Sequence, residues 1–305
     1  MNFPSPSSAE AVISVSGLSR RYGARAALEN VSLFVPRGCV FGLVGENGAG
    51  KTTLIKHLLG LLRAETGTVR VFGRDPIAED VEVLSRVGYL SEERDLPAWM
   101  RVDEVMRYTE GFHPGWDRGY AEQLRQQFGL SGPARVRTLS QGQQAKLGLL
   151  LALAYRPELL ILDEPSSGLD PLVRRDILEA IIRSVVEDGR SVFFSSHLLD
   201  EVERVSDYLT MLHRGQVVFS GPLEQVRQGH RGLVIQFETS QAGPPRIEGA
   251  LSVQGFGREW KVVCWGSAAG VTAQAAQLGG VIIEEQTPTL DEIFVARAGK
   301  AENEA

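Results

Sequence analysis

A glycine-rich stretch between a buried strand and a helix constrains the fold of this chain more than any other feature. The run CVFGLVG, residues 39–45, is almost wholly apolar, as expected for a strand that is buried on both faces. It leads into GENGAGKT, residues 45–52, and a helix is predicted from Lys51 to about Leu62. GENGAGKT matches the pattern G-x-x-x-x-G-K-[ST] in the strand–helix context that this pattern requires. The sequence therefore predicts a phosphate-binding loop in an α/β domain, with a glycine-rich turn of a Rossmann-like fold as the structural alternative.

The residue types in this loop suit the phosphates of a nucleotide. Glycines let backbone N–H groups approach phosphate oxygens without an intervening Cβ. Lys51 supplies a positive charge for the β and γ phosphates, and the hydroxyl of Thr52 is placed to bind Mg²⁺. The predicted nucleotide-binding residues of this segment are Gly45, Asn47, Gly48, Ala49, Gly50, Lys51, Thr52 and Thr53.

Two more apolar runs are predicted to be buried strands of the same sheet. They are LLILD, residues 159–163, and SVFFSSH, residues 191–197, and each is followed by a helical segment. Buried strands that alternate with helices predict a doubly wound α/β core. The alternating patterns VISVS and VSLFV, between residues 11 and 35, predict an antiparallel β subdomain. Residues 90–158 are predicted to form a helical subdomain, and the whole domain is expected to span residues 11–221.

After residue 221 the composition changes, which predicts a small α+β domain over residues 222–305. Its predicted strands are GLVIQFET, ALSVQGF, EWKVVCWG and VIIEE, and a glycine-rich turn separates the second from the third. The last helix is predicted to begin at Thr289, because Glu292 lies three residues further on and completes a capping box. Residues 1–10 lack the basic and apolar regions of a signal peptide and are expected to be a disordered lead-in.

Composition narrows the possible classes of function. Lys and Arg number 32 and Asp and Glu number 38, a formal net charge of −6, which does not support a nucleic-acid-binding surface. The only two cysteines, Cys39 and Cys264, each lie in an apolar strand-like run and are expected to be buried and unpaired. The uncharged stretch from Leu147 to Tyr155 is far shorter than the ~20 residues of a membrane span, so a soluble chain is expected.

Two adjacent acids, Asp163 and Glu164, end the strand LLILD. A carboxylate at this position can reach across the sheet to a magnesium ion held at the glycine-rich loop. Its neighbour then faces the γ-phosphate, where a base can activate water. Acids at a strand end are often merely solvated, and the presence of the glycine-rich loop is what favours a catalytic role here.

Five motifs now occur in a recognisable order. The glycine-rich loop is followed by LSQGQ (139–143), LLILDEP (159–165), SGLD (167–170) and SSH (195–197). From about residue 11 to residue 221, this order and spacing resemble the nucleotide-binding subunits of ABC transporters. The resemblance implies the P-loop NTPase fold of an ABC ATPase and the hydrolysis of ATP with Mg²⁺.

Carried over residue by residue, the resemblance assigns further roles. Asp163 is implied to be a magnesium ligand and Glu164 the general base. His197 is implied to contact the γ-phosphate, so that Lys51, Glu164 and His197 form the predicted catalytic set. Asp170 is implied to lie in the loop that links two active sites. Tyr22, in RRYGA, stands where such subunits place an aromatic ring on adenine.

The resemblance also implies a dimer. In this family two subunits pack head to tail, and the start of the LSGGQ-like helix binds the γ-phosphate of ATP held by the other subunit. Ser140, Gly142 and Gln143 are the predicted contacts here, aided by the helix dipole. Gln141 stands where the commonest family pattern has glycine. The partner ATPase subunit is predicted to be a second copy of this chain or a related chain.

The resemblance further implies a separate integral membrane subunit, with this chain bound peripherally at the cytoplasmic face of the cell membrane. The segment over residues 92–116 is expected to border the groove that receives it, and the apolar side chains predicted there are Trp99, Met100, Met106 and Trp116. These four side chains are alternatively part of the core. The stretch PTLDEIFVARAG resembles the tail of ATPases that serve ABC-2-type exporters.

Two other classes of function compete with transport. A soluble ABC ATPase acting on a nucleic-acid or ribosomal partner is the alternative, but the chain lacks the long coiled-coil insertion, the second cassette and the basic charge that such proteins carry. No nucleic-acid partner is therefore expected. A regulatory switch without turnover is disfavoured by the presence of Glu164 and His197.

Glu92, in the stretch VGYLSEERD, stands where the family usually has a glutamine that touches magnesium and the attacking water. A carboxylate can also bind a hard cation, and a third acid beside Asp163 and Glu164 increases the repulsion between them. We therefore expect ATP binding to depend more strongly on Mg²⁺ in the wild type than in Glu92→Gln. Magnesium titrations of nucleotide binding check this expectation, and superimposable curves for the two proteins contradict a ligand role for Glu92.

Overall fold

The computed structural model describes residues 11–186 and 189–304. It divides into two compact units, of which the first ends at Val217 and the second begins at Val218, so the division falls within the strand Gln216–Pro222. The predicted disordered lead-in lies outside the described residues. Within those residues, no helix has the length and apolar character needed to cross a membrane.

The first unit contains two sheets and seven helices among its described residues. In chain order its elements are β1 (Ala11–Tyr22), β2 (Arg25–Pro36), β3 (Val40–Val44), α1 (Lys51–Leu58), β4 (Thr66–Val71), α2 (Asp80–Leu84), β5 (Val87–Leu90), α3 (Val102–Glu110), α4 (Arg118–Gln127), a 3₁₀ turn (Val136–Thr138), α5 (Gln141–Leu153), β6 (Leu159–Leu162), α6 (Pro171–Val186), β7 (Ser191–Ser196), α7 (Leu199–Val205), β8 (Tyr208–His213) and β9 (Gln216–Pro222).

The larger sheet has the strand order β5-β6-β7-β3-β8-β9. The pairs β5–β6, β6–β7, β7–β3 and β3–β8 are parallel. Every residue of β3, β6 and β7 is buried, as the three apolar runs predict. Phe41 and Phe193 stack between neighbouring strands with their ring centroids 5.5 Å apart. Because the strands are parallel, the loops at their carboxyl ends meet at one edge. The glycine-rich loop, Asp163 with Glu164, and His197 follow β3, β6 and β7 at this edge.

An antiparallel sheet of order β2-β1-β4 forms the second layer of this unit, as the alternating patterns predict. Ile13 pairs with Val35 and Val15 with Leu33. The helix α1 is shorter than predicted, because it ends at Leu58 rather than near Leu62. Gly60 follows with φ of 70°, and a Cβ there would lie 2.2 Å from the carbonyl oxygen of Pro76. Only glycine permits this turn without displacing its neighbours.

The second unit is a three-stranded antiparallel sheet with helices. Its elements after β9 are α8 (Leu223–Gly229), β10 (His230–Gln241), β11 (Ala250–Trp265), α9 (Ala269–Gln277), β12 (Gly280–Gln286) and α10 (Leu290–Glu304). The strand order is β11-β10-β12, and one sheet face packs a small core around Ile235, Phe237 and Val262. Thr289 and Glu292 exchange backbone-to-side-chain hydrogen bonds of 3.1 and 3.3 Å, which confirms the predicted capping box.

The prediction of two separate strands within residues 250–266 was wrong. The structure has one strand, β11, with Gly255 and Gly257 at positive φ inside it. Residues from Gly257 onward pair with β10. Glycine adopts these positive φ angles at little cost, so both positions are accommodated within a single strand. Cys39 and Cys264 are buried and free, as predicted, and burial raises the pKa of the Cys39 thiol to about 12.

Candidate functional site

A cavity of about 440 Å³ opens beside the glycine-rich loop. Residues from distant parts of the first unit share its walls, and most of them are predicted site residues. The lining residues are Tyr22, Arg25, Ala27, Asn47, Gly48, Gly50, Lys51, Thr52, Thr53, Glu92 and Glu164. The fold thus brings together Tyr22 at the end of β1, the glycine-rich loop and the first turn of α1. Glu92 and Glu164 lie in the same cavity.

The glycine-rich loop has the backbone that its sequence predicts. Gly48 and Gly50 have φ of 82° and 108°. A Cβ on Gly50 would lie 2.4 Å from the carbonyl oxygen of Ala27, and one on Gly45 would lie 2.4 Å from that of Leu212. The helix α1 then begins at Lys51 without a side-chain cap. The N–H groups of its first turn are therefore available to a phosphate.

Two residues that the sequence analysis did not single out, Arg25 and Ala27, also line this cavity. The guanidinium of Arg25 donates to the carbonyl oxygen of Gly48 at 3.1 Å, so it holds the loop from the start of β2. Tyr22 is 48% exposed, and the Arg20 guanidinium lies 5.1 Å from its ring centroid. In the sequence, the basic residues near Tyr22 were the feature that pointed to Arg25 as part of the cavity wall.

A chain of polar contacts runs from the loop to the end of β7. The ammonium of Lys51 lies 3.0 Å from Oε1 of Glu164, and both side chains are almost fully buried, at 6% and 4% exposed. Oε2 of Glu164 lies 2.7 Å from Nδ1 of His197, and the backbone N–H of His197 donates to the same oxygen at 3.4 Å. Lys51 also donates to the carbonyl oxygen of Gly45 at 2.6 Å. Glu164 therefore contacts both of the other predicted catalytic residues, Lys51 and His197.

Glu164 itself has a strained backbone, with φ of 46°. A non-glycine residue in this region costs about 1–3 kcal/mol and persists only where its surroundings hold it. Ser195 supplies one such restraint, because its hydroxyl accepts the backbone N–H of Glu164 at 2.9 Å. The same hydroxyl donates to Oδ1 of Asp163 at 2.6 Å. The motif SSH was singled out for its histidine, and the role of this serine was not predicted.

The predicted magnesium ligands offer oxygen atoms only. Thr52 and Glu92 line the cavity, and Asp163, 1% exposed, precedes Glu164. Among the residues that the structure describes, no group of three or more His, Cys, Asp or Glu side chains is arranged to hold a metal ion by itself. Hydroxyl and carboxylate oxygens suit Mg²⁺, which usually keeps several waters and takes further ligands from phosphate. The donor set therefore fits magnesium bound together with a nucleotide.

Six predicted nucleotide contacts do not line this cavity. Gly45 and Ala49 belong to the glycine-rich loop itself, and the other four, Ser140, Gly142, Gln143 and Asp170, lie at the starts of α5 and α6. Ser140 caps α5, since its hydroxyl accepts the N–H of Gln143 at 3.2 Å while the Gln143 side chain accepts the N–H of Ser140 at 3.0 Å. Gly142 is buried, and a Cβ there would lie 2.9 Å from the side chain of Val173. Asp170 caps α6 through two backbone N–H groups at 3.1 Å. These residues form a second surface, at the starts of α5 and α6.

Large apolar side chains are exposed in the helical region. Trp99 is 68% exposed and Phe112 is 67% exposed, and Tyr108 packs edge-on against Phe112 at 5.1 Å between centroids. Of the four side chains predicted for the docking groove, Trp99 is exposed, whereas Met100, Met106 and Trp116 are half-buried. Tyr108 lies on α3 and Phe112 in the turn after it, and both were missed because their exposure depends on what packs against this region.

Comparison with known proteins agrees with this geometry. A family model described as ABC transporter matches residues 28–167. The daunorubicin resistance ATP-binding protein DrrA3 of Streptomyces coeruleorubidus is 30% identical over 95% of this chain and 97% of its own length. The bacitracin transport ATP-binding protein BcrA of Enterococcus faecalis is 33% identical over 73% of each chain. A solved structure of an ATP-binding subunit of an ABC transporter superimposes with a TM-score of 0.65 at 30% identity, covering 71% of this chain and 92% of that one.

The chain therefore belongs to the ATP-binding subunits of ABC transporters, and its relatives place it with the exporter-type ATPases. The predicted fold class, ATP binding and ATP hydrolysis are confirmed at the level of the family. The alternative of a soluble ATPase with a nucleic-acid or ribosomal partner is not favoured. Subunits of this family dimerise and work with a membrane subunit.

The loop geometry predicts the effect of a single methyl group. In Gly50→Ala the new Cβ meets the Ala27 carbonyl oxygen, and the positive φ adds strain. We therefore expect the free energy of unfolding to fall by about 1–3 kcal/mol and ATP binding to weaken by roughly tenfold or more. Gly132→Ala is the matched control, because its Cβ would meet Asp103 at an ordinary 3.6 Å. Urea denaturation and fluorescent-nucleotide titration measure both effects. Equal behaviour of the two variants contradicts the steric argument.

Proposed function

We propose that this chain hydrolyses ATP·Mg²⁺ within a dimer that encloses two nucleotides and drives a separate membrane-spanning exporter subunit. The contact of Lys51, Glu164 and His197 at the mouth of the glycine-rich loop is the observation that carries the proposal. A cation for phosphate, a carboxylate base and a group that orients the base are the three parts that hydrolysis of a phosphoanhydride needs.

The chain's own residues then divide the work. The loop N–H groups and Lys51 bind the β and γ phosphates, and Tyr22 supports the adenine ring. Glu164 accepts the proton of the attacking water, while His197 holds the carboxylate and contacts the γ-phosphate. Thr52, Asp163 and Glu92 are the residues that would hold Mg²⁺, which supplies charge neutralisation to the phosphates when bound.

A head-to-tail dimer accounts for the predicted residues at the starts of α5 and α6, which do not line the cavity. Ser140, Gly142 and Gln143 lie at the start of α5, a 13-residue helix, and Asp170 lies at the start of α6. A helix N-terminus favours an anion. In the proposed dimer, this surface completes the site of the other subunit, so that ATP closes the dimer and hydrolysis reopens it. The second subunit is a copy of this chain or a relative.

The exposed apolar side chains support a docking role toward the membrane subunit. Trp99, Tyr108 and Phe112 are exposed within the region over residues 92–116. Exposed aromatic side chains are typical anchors of protein interfaces. We assign this surface to a segment of the membrane subunit at the cytoplasmic face of the cell membrane. The names of DrrA3 and BcrA favour an antibiotic-type cargo, which the membrane subunit selects.

The catalytic assignment is tested with Glu164→Gln. A glutamine cannot accept the proton, so we expect turnover to fall by roughly 10²- to 10⁴-fold. ATP binding should persist, and an ATP-bound dimer should accumulate in size-exclusion chromatography. Phosphate release at saturating ATP·Mg²⁺ gives the rate. Turnover like that of the wild type removes Glu164 from the role of base, and a nucleotide-bound monomer contradicts the dimer.

The docking surface is tested by co-purification from native membranes in mild detergent. We expect the wild type to recover a polytopic membrane protein in stoichiometric amount. Trp99→Ser combined with Phe112→Ser should lose it while keeping ATPase activity, because neither side chain lines the cavity. Leu61→Ser, which alters a 63% exposed apolar residue elsewhere in the same unit, is the control. Recovery of a ribosomal or DNA-bound companion instead contradicts the exporter assignment.

A further inference from the structure

Two adjacent serines end β7, and their hydroxyls make different sets of contacts. Successive side chains of a strand point to opposite faces. Ser195 contacts Asp163 and Glu164 at the end of β6, whereas the hydroxyl of Ser196 donates to Oε2 of Glu201 on α7 at 3.0 Å. Both serines are fully buried. A buried hydroxyl keeps its place through its hydrogen bonds, so both pairs of contacts are structural restraints.

Ser195 makes both of its contacts with the acids of the site. As an acceptor it takes the N–H of Glu164 at 2.9 Å, and as a donor it binds Oδ1 of Asp163 at 2.6 Å. The N–H that it accepts belongs to the residue with φ of 46°. A relaxed backbone at Glu164 would rotate that N–H away from β7, and with it the direction of the carboxylate. The Ser195 hydroxyl therefore opposes the relaxation.

Glu201 also restrains the loop after β6, through a residue other than Asp163 and Glu164. Its carboxylate is 1% exposed, and Oε2 accepts the hydroxyls of Ser166 at 2.6 Å and Ser196 at 3.0 Å. Its other oxygen forms an ion pair of 3.1 Å with Arg174 on α6. A buried carboxylate with this set of partners is costly to disturb. It connects the residue two positions after Glu164 to the residue that precedes His197.

We propose that Ser195 is a positioning residue for hydrolysis, which holds the Glu164 backbone in its left-handed conformation while Glu201 fixes the far side of the loop. The proposal rests on the assignment of Glu164 as the base. Ser195 does not line the nucleotide cavity, so it acts through Glu164 and Asp163 rather than on ATP. Loss of its hydroxyl should lower kcat and leave the KM for ATP nearly unchanged.

Threonine and valine at position 195 provide a matched comparison, because they have almost the same shape and only threonine has a hydroxyl. We expect Ser195→Val to lower kcat by roughly tenfold to a hundredfold, since small misplacements of a catalytic group have effects of this size. Ser195→Thr should recover most of that loss. Steady-state phosphate release over a range of ATP concentrations separates kcat from KM. Equal kcat in the two variants, or a loss confined to KM, overturns the proposal.

Folding and the base assignment are controlled separately. Urea denaturation shows whether both variants fold, and where Ser195→Val does not, Ser195→Ala compared with wild type makes the same test without added volume. Glu201→Gln keeps an oxygen acceptor for the two serines, whereas Glu201→Leu removes it, so kcat should be higher in the glutamine variant. Asp200→Asn, an exposed acid on the same helix, should retain wild-type turnover.

The Glu164→Gln measurement distinguishes the two possible failures. If Glu164→Gln abolishes turnover and Ser195→Val does not lower it, the positioning role is wrong and the base assignment stands. If Glu164→Gln keeps wild-type turnover, the base assignment is wrong, and the positioning role falls with it.

Discussion

The buried ion pair between Lys51 and Glu164 is the interaction on which the rest of the site depends. Two charges that are removed from water are tolerated only when their geometry is good and their remaining hydrogen-bonding capacity is used. Lys51 follows β3 and Glu164 follows β6, and β7 lies between these two strands in the sheet. The end of β7 is therefore the place from which both partners can be restrained, and His197 and Ser195 occupy it.

Three parallel strands thus explain why residues more than a hundred positions apart act together. Parallel strands present their carboxyl ends at one edge, where ligands of α/β proteins usually bind. Hydrogen bonds from neighbouring elements restrain the loops at this edge. Arg25 holds the glycine-rich loop at Gly48, and Glu201 connects Ser166 to Ser196. Each of these two loops is therefore held by a neighbouring element as well as by its strand.

The two predicted nucleotide-binding surfaces lie in different parts of the first unit. One surface surrounds the cavity, and the other lies at the starts of α5 and α6. These two helix starts are in close contact, because Gly142 packs against Val173. In the proposed dimer, the surface around the cavity of one chain meets the surface at the starts of α5 and α6 of the other chain.

The sequence by itself determined the parts of the protein that local patterns encode. The three buried strands, the glycine-rich loop and the capping box at Thr289 followed from periodicity and motif spacing, because these depend on neighbours in the chain. The proposed catalytic residues followed from the family resemblance. Only the tertiary structure decided the rest. Ser195, Arg25 and Glu201 act through partners that are distant in sequence. The end of α1 depends on the approach of Pro76. The exposure of Tyr108 and Phe112 depends on what packs against α3. Contacts between distant segments follow from the packing of the sheet and helices, and no local pattern contains that information.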